Sequence, residues 1–249
     1  MLWGVKRVVK TDKKLKTLFN PDCPKDISIF PLLGPDFYQA SAPDVARNLL
    51  GKILESEVDG ELTAGIIVET EAYLAYQDPA SHSFRGRTPR NKSMFARGGT
   101  AYVYKCYGVH HCFNIVTGQV DVGEAVLIRA IEPLTPLETM EKRRFGKNRE
   151  LVKNDTKKSP FRAFYDLTNG PGKLTLALVI ALEHDGLFMG DEATPIKVRD
   201  PAPFVSNIEI STSTRVGISQ GQDMLLRFFV SDSPWVSRVP GGTRRSQRG

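Results

Sequence analysis

The chain has 249 residues, of which 41% are apolar, 9% aromatic and 25% charged, a composition that excludes disorder throughout and provides a core without disulfide or metal staples. The 34 lysines and arginines outnumber 28 aspartates and glutamates, giving a formal charge of +6 and a pI near 9.2, which favours a polyanionic partner without specifying one. Cys23, Cys106 and Cys112 include no CxxC pair; this excludes a secreted disulfide framework or a zinc cluster and points to a reducing, intracellular compartment. No segment approaches the roughly 18 apolar residues of a membrane span.

Residues 1–29 carry Lys6, Arg7, Lys10, Lys13, Lys14, Lys16 and Lys25 together with Pro21 and Pro24, and read as a flexible basic arm. Residues 30–239 read as one domain. Within it, Ser41, Pro43 and Gly51 bracket a short helix as N-cap, first-turn proline and C-terminal glycine. Lys52–Val58 and Glu61–Val68 form a predicted hairpin about Asp59-Gly60, a dipeptide suited to a primed turn. A second hairpin, Thr100–Cys106 and His111–Val116, flanks Tyr107-Gly108, and Ala125–Ile131 is a further strand. Thr135-Pro136-Leu137-Glu138 is a capping box opening a helix to about Arg144, and the charged run from Lys147 to Lys158 reads as a surface loop. Lys173–Leu182 is another predicted helix. Ile196–Val198, Ile208–Ser213 and Leu225–Val230 complete a strand-rich α+β chain, ahead of a flexible basic tail at 240–249 (PGGTRRSQRG).

In extended geometry Glu69, Glu71 and Tyr73 share one strand face. They read either as a solvated strand end or as carboxylates desolvated by Tyr73, Tyr102 and Tyr104, whose raised pKa suits acid–base work. Asp78 and His82 lie at spacings that, with the two glutamates, imitate a metal site of a nuclease, although no His-x-His or aspartate cluster accompanies them. Tyr107 at its glycine turn either packs on its own hairpin or acts as a wedge into a base stack. Arg85, Arg87, Thr88, Arg90, Lys92 and Arg97 offer the cations and hydroxyls that phosphate contacts need, and equally fit a solvated loop.

The ordered blocks IVETEAYL (67–74), His82, TPRNKSMF (88–95), GTAYVYKCYG (99–108), FNI (113–115), VLIRAIEPL (126–134), NGPGKL (169–174), RVGI (215–218) and DSPWVS (232–237) together resemble the 3-methyladenine (alkyladenine, methylpurine) DNA glycosylase family over roughly residues 37–238. The resemblance implies a single mixed domain built on a curved antiparallel sheet, with peripheral helices and a hairpin that inserts into DNA, using no cofactor and no metal. Glu71 falls at the general-base position, aided by Arg129 and the backbone carbonyl of Val216. Tyr73, His82 and Tyr104 match the walls of a base pocket, Asn114 the residue that crowds the 2-amino group of guanine, and Tyr107 the intercalating side chain. Arg85, Arg87, Thr88, Arg90, Lys105 and Gly217 fall at DNA-backbone positions. Val109 and His110 depart from the methionine and aromatic that other members carry beside the wedge.

The function so implied is hydrolysis of the N-glycosidic bond of a damaged purine flipped from double-stranded DNA, by a monomer that leaves an abasic site. 3-Methyladenine and 7-methylguanine are the expected bases; neutral hypoxanthine is a harder one. A metal-dependent nuclease, a non-catalytic nucleic-acid-binding module on the same fold and a bifunctional lyase are the rival classes.

Overall fold

A computed structural model describes residue 18 and residues 26–135, 137–146, 164–205 and 208–237. The capping-box proline, the charged run 147–158 and the basic tail therefore lie outside the described residues, as does most of the basic arm. The end of that arm is folded: Ile27–Ile29 forms a short 3-10 turn, and Ile27 and Phe30 are buried in the core.

The longest strand organises the rest. Eight strands are described: β1 (Ile53–Val58), β2 (Glu61–Tyr73), β3 (Ala101–Cys106), β4 (His110–Thr117), β5 (Glu124–Thr135), β6 (Ile196–Arg199), β7 (Ile210–Ser213) and β8 (Arg227–Val230). They form one antiparallel sheet in the order β3-β4-β5-β2-β1-β6, with β8 joining β2 to β7. β1 pairs with the first half of β2 and β8 with residues 69–71, while β5 pairs with β2 from Ala64 to Tyr73. The β2–β5 ladder shifts register at Ala64/Gly65, Ile67/Glu69 and Glu69/Thr70, and such irregularities bend and twist a strand. Pro133 stands opposite Gly65 at the first shift, the kind of position where a residue without an N–H is tolerated. A Cβ on Gly65 would lie 2.8 Å from the Glu132 carbonyl oxygen, so the two strands approach there only because the side chain is absent.

The described residues include the helices α1 (Ala42–Asn48), α2 (Leu137–Phe145) and α3 (Pro171–Leu178). α1 lies against β2 and β5, α3 against β4 and β5, and α2 against α3. Ser41 caps α1 by accepting from the Asp44 N–H, with proline in the first turn. α3 is shorter than its apolar run predicts, because Val179 adopts a left-handed conformation at φ +54° and Ile180 donates back to the Thr175 carbonyl; no glycine announces that stop. β5 runs four residues beyond its predicted end at Ile131, to Thr135, and the helix predicted to follow it up to about Arg144 is α2.

β3 is an edge strand, and its outer side is covered. Asp185 accepts from the Val103 N–H at 2.9 Å and from the Ser93 hydroxyl at 2.7 Å, and Ala101 exchanges backbone hydrogen bonds with Gly186 and Leu187. The base of the β3–β4 hairpin is therefore clamped while its tip stands free, with Tyr107 86% and Val109 71% exposed.

The first hairpin turns as its dipeptide predicts, with Asp59 at φ +56° and Gly60 at φ +71°. A Cβ on Gly60 would meet nothing within 4 Å, so substitution there isolates backbone strain. Gly60→Ala is expected to cost about 1 kcal/mol by urea denaturation, without altering the far end of β2.

Candidate functional site

The end of β2 is no solvated strand terminus. Glu69 and Glu71 both have zero exposure, and burying two carboxylates requires that their oxygens be filled and their charges opposed. For Glu69 this is achieved four times over. Its Oε1 accepts from Arg129 Nε at 2.9 Å, Arg227 Nε at 2.7 Å and the Ser237 hydroxyl at 2.7 Å, and its Oε2 accepts from the Ser237 N–H at 2.6 Å. Arg227 also donates to the Ser237 carbonyl and the Ser213 hydroxyl. Glu69 thus ties β2, β5, β8 and the 232–237 segment together.

Glu71 is held more sparingly. Oε1 accepts the Val216 N–H at 2.7 Å, and Oε2 accepts the Tyr73 hydroxyl at 3.0 Å and faces Arg129 Nη1 at 3.2 Å. Burial raises its pKa above the ordinary value, against the pull of Arg129 and the Val216 N–H. A carboxylate offers about four lone-pair sites; three donors leave one acceptor position on Oε1, beside Val216. Burial and Glu71 together keep the Tyr73 phenol protonated, which makes it a donor to the carboxylate.

Tyr73, Arg129 and Val216 also line a cavity of about 840 Å3. His82, Tyr102 and Tyr104 form its aromatic side: the His82 and Tyr104 rings lie 4.6 Å apart at 66°, Tyr102 and Tyr104 5.5 Å apart at 35°. His82 Nδ1 is hydrogen-bonded to the Tyr102 hydroxyl at 2.8 Å, and desolvation in the cavity wall and Arg90 lower the imidazole pKa, which favours the neutral ring at neutral pH. Asn114, buried, donates to the Tyr102 carbonyl from β4. Cys106 and Cys112 sit in the same wall as free thiols, with Cys112 pushed up to about 12 by burial and its neighbour.

The fold gathers most of the predicted residues. Arg85, Arg90, Tyr107 and Gly217 reach the cavity with Tyr73, His82, Tyr104, Asn114, Arg129 and Val216. Arg87, Thr88 and Lys105 do not. Arg87 pairs with Asp121 at 3.0 Å on the surface. The Thr88 N–H and hydroxyl both donate to Asn91 Oδ1, while Asn91 in turn donates to the carbonyls of His82 and Gly86; this small network shapes the loop that carries His82. Lys105 is exposed on β3, one residue out of phase with Tyr104.

The imitation of a metal site does not assemble. Both Asp78 oxygens are engaged by Arg215 and by the N–H groups of Leu74 and Ala80, and His82 Nδ1 faces Tyr102. No group of three or more His, Cys, Asp or Glu side chains suited to a metal occurs among the described residues. Sequence spacing missed Arg227 and Ser237 as partners of Glu69, Arg215 as the partner of Asp78 and Tyr102 as the partner of His82. Only the strings RVGI and DSPWVS marked their neighbourhoods.

Because Glu69 compensates two buried guanidiniums, Glu69→Gln should be markedly destabilising. A loss of about 3 kcal/mol or more is expected in chemical denaturation, since removing one partner leaves uncompensated buried charge. Glu71→Gln should cost less, because it removes a carboxylate that burial already disfavours.

The family model for methylpurine-DNA glycosylase (MPG) matches residues 36–234. A relative from Francisella tularensis is 43% identical over 195 residues, covering 78% of this chain and 93% of its own. One from Clostridium botulinum is 39% identical over 211 residues, covering 83% and 99%, and one from Methanoculleus marisnigri is 44% identical over 204, covering 81% and 96%. Each carries an inferred assignment as a 3-methyladenine DNA glycosylase. The matched span holds both buried glutamates and every residue that lines the cavity, and the chain belongs to the methylpurine-DNA glycosylase family.

Proposed function

We propose that this DNA glycosylase hydrolyses the N-glycosidic bond of alkylated purines extruded from duplex DNA, acting as a monomer and leaving an abasic site. The observation that carries the reading is Glu71: a buried carboxylate with one acceptor position open, one layer beneath an aromatic cavity. A water hydrogen-bonded at Oε1 and to the Val216 carbonyl would be oriented toward C1′, and Glu71 takes its proton as the bond to the departing base breaks. Arg129 holds Glu71 ionised against its burial and is itself neutralised by Glu69.

The base leaves with the bonding electrons, so cationic 3-methyladenine and 7-methylguanine are the favoured substrates. Tyr73 and Tyr104 offer electron-rich faces worth roughly 0.5 to 2 kcal/mol to such a cation. Neutral His82 adds a third wall without repelling it. Asn114 limits the space for a 2-amino group, which disfavours undamaged guanine. Hypoxanthine, lacking the charge, requires protonation as it leaves and is removed more slowly. Among the described residues no lysine lines the cavity, which supports water rather than an amine as nucleophile. Tyr107 fills the gap left by the flipped nucleotide, while Arg85, Arg87, Thr88, Arg90, Lys105 and Gly217 contact phosphates and supply sequence-independent affinity.

Glu71→Gln is expected to bind a lesion duplex normally and to lose about 100-fold or more in single-turnover excision, the scale of general-base catalysis. In the wild type the rate should fall with acid through a pKa above the ordinary 4.5 of a glutamate, because the ionised form is the base and burial raises its pKa. EDTA should have no effect; loss of activity in EDTA would restore the metal-dependent reading.

Tyr107→Ser tests the wedge. Flipping a well-paired lesion costs a few kcal/mol, and a mismatched one less, so the serine variant should be most defective on paired lesions and partly recovered on mismatches. Equal loss on both, with a lowered melting temperature, would make Tyr107 a packing residue only.

A further inference from the structure

Glu71 has three donors, and one of them, Arg129, is secured through Glu69. The other two, the Val216 N–H and the Tyr73 hydroxyl, share a different support. Arg215 is buried and forks both Nη atoms onto the two oxygens of Asp78. Its Nη1 also donates to the Ala72 carbonyl at 3.1 Å, and its guanidinium carbon lies 4.6 Å from the centroid of the Tyr73 ring. Asp78 is itself fixed, accepting from the N–H groups of Leu74 and Ala80 at 3.1 Å each. A Cβ on Gly221 would come within 3.1 Å of Arg215 Nη2, so the loop following Val216 closes against the same guanidinium. One ion pair therefore grips the end of β2, the 74–80 turn and the 215–221 loop at once.

We propose that Asp78 and Arg215 are positioning residues for Glu71, a clamp that sets the Val216 N–H on Oε1 and the Tyr73 ring beside Oε2, and so leaves the open acceptor position on Oε1, beside Val216. The inference rests on the reading of Glu71 as the base. Its physical basis is that a bidentate Arg–carboxylate pair fixes orientation as well as distance, whereas a backbone N–H on an untethered loop does not. The β7–β8 ladder carries the chain as far as Ser213, opposite Arg227; beyond it the Val216 N–H donates to Glu71 itself, and Arg215 supplies the bonds to Ala72 and Asp78.

The clamp makes a signed expectation. The charged and titratable groups around Glu71 are Glu69 and Tyr73 on β2, Arg129 on β5, Arg227 opposite it on β8, and Arg215. Asp78→Asn removes a nearby negative charge, which by Coulomb interaction alone would lower the Glu71 pKa. Release of the Val216 N–H removes a donor to the ionised form and raises it. The two effects oppose, and the clamp requires the rise to win. Arg215→Lys keeps the charge but cannot fork to Asp78 while reaching Ala72 and stacking on Tyr73; it should move Glu71 the same way, and it serves where Asp78→Asn folds poorly.

Two measurements on the full chain decide. In protein with 13C-labelled glutamate carboxyls, with the Glu71 signal assigned by its absence in Glu71→Gln, the titration of Glu71 should move upward by roughly one pH unit in the folded variants. Single-turnover excision should fall about ten- to 100-fold with the acid limb displaced the same way, while affinity for the lesion duplex is unchanged. A folded variant whose Glu71 titration is unmoved or lowered would overturn the clamp, even if its melting temperature falls, because a pair that only stabilises the fold acts on the carboxyl through charge alone, and that effect is downward. The wild-type reading is judged separately: excision by Glu71→Gln would remove Glu71 as the base, while the carboxyl titration still reports on the clamp.

Discussion

Two carboxylates two residues apart have been taken wholly out of water, and this constraint governs the molecule. An isolated buried carboxylate costs several kcal/mol even after relaxation, so the sheet must deliver cations to the end of β2. It does so from both flanks: Arg129 on β5 and Arg227 on β8 close on Glu69, β8 lying alongside residues 69–71 of β2. The same demand explains why 232–237 folds back over the strand to give Ser237 to Glu69. Stability is concentrated on one glutamate so that its neighbour can be left with an incomplete set of partners.

That division of labour separates structure from chemistry at a spacing of two residues. Glu69 takes four donors, two of them guanidiniums, and of these partners only Arg129 lines the cavity. Glu71 is under-supplied, buried and adjacent to the cavity, the condition in which a carboxylate becomes a stronger base. The aromatic wall follows the same economy: His82 is held by Tyr102 and the loop that carries it by Asn91, so the rings meet a ligand already oriented.

Local features were legible where local rules suffice. Asp59-Gly60 specified its turn and Ser41 its cap, because positive φ and an N-cap oxygen are satisfied within a few residues. The ordered blocks grouped Glu71, Arg129 and the pocket rings; Arg129 and the rings line one cavity, and Glu71 is bonded to its wall at Tyr73, Arg129 and Val216. The contrast between Glu69 and Glu71 was not legible: same residue type, same face, and a difference set by Arg227 and Ser237, 158 and 168 positions away. The spacing of Asp78 could imitate a metal site for the same reason, since its partner Arg215 is 137 residues distant. The early end of α3 had no signal either, as the left-handed Val179 interrupts an unbroken apolar run.

The cavity wall also carries thiols, Cys106 and Cys112. Thiols react as thiolates. With its pKa pushed up to about 12 by burial and the neighbouring Cys106, the Cys112 thiol stays protonated at neutral pH. The burial that shapes the cavity therefore also keeps this sulfur from acting as a nucleophile.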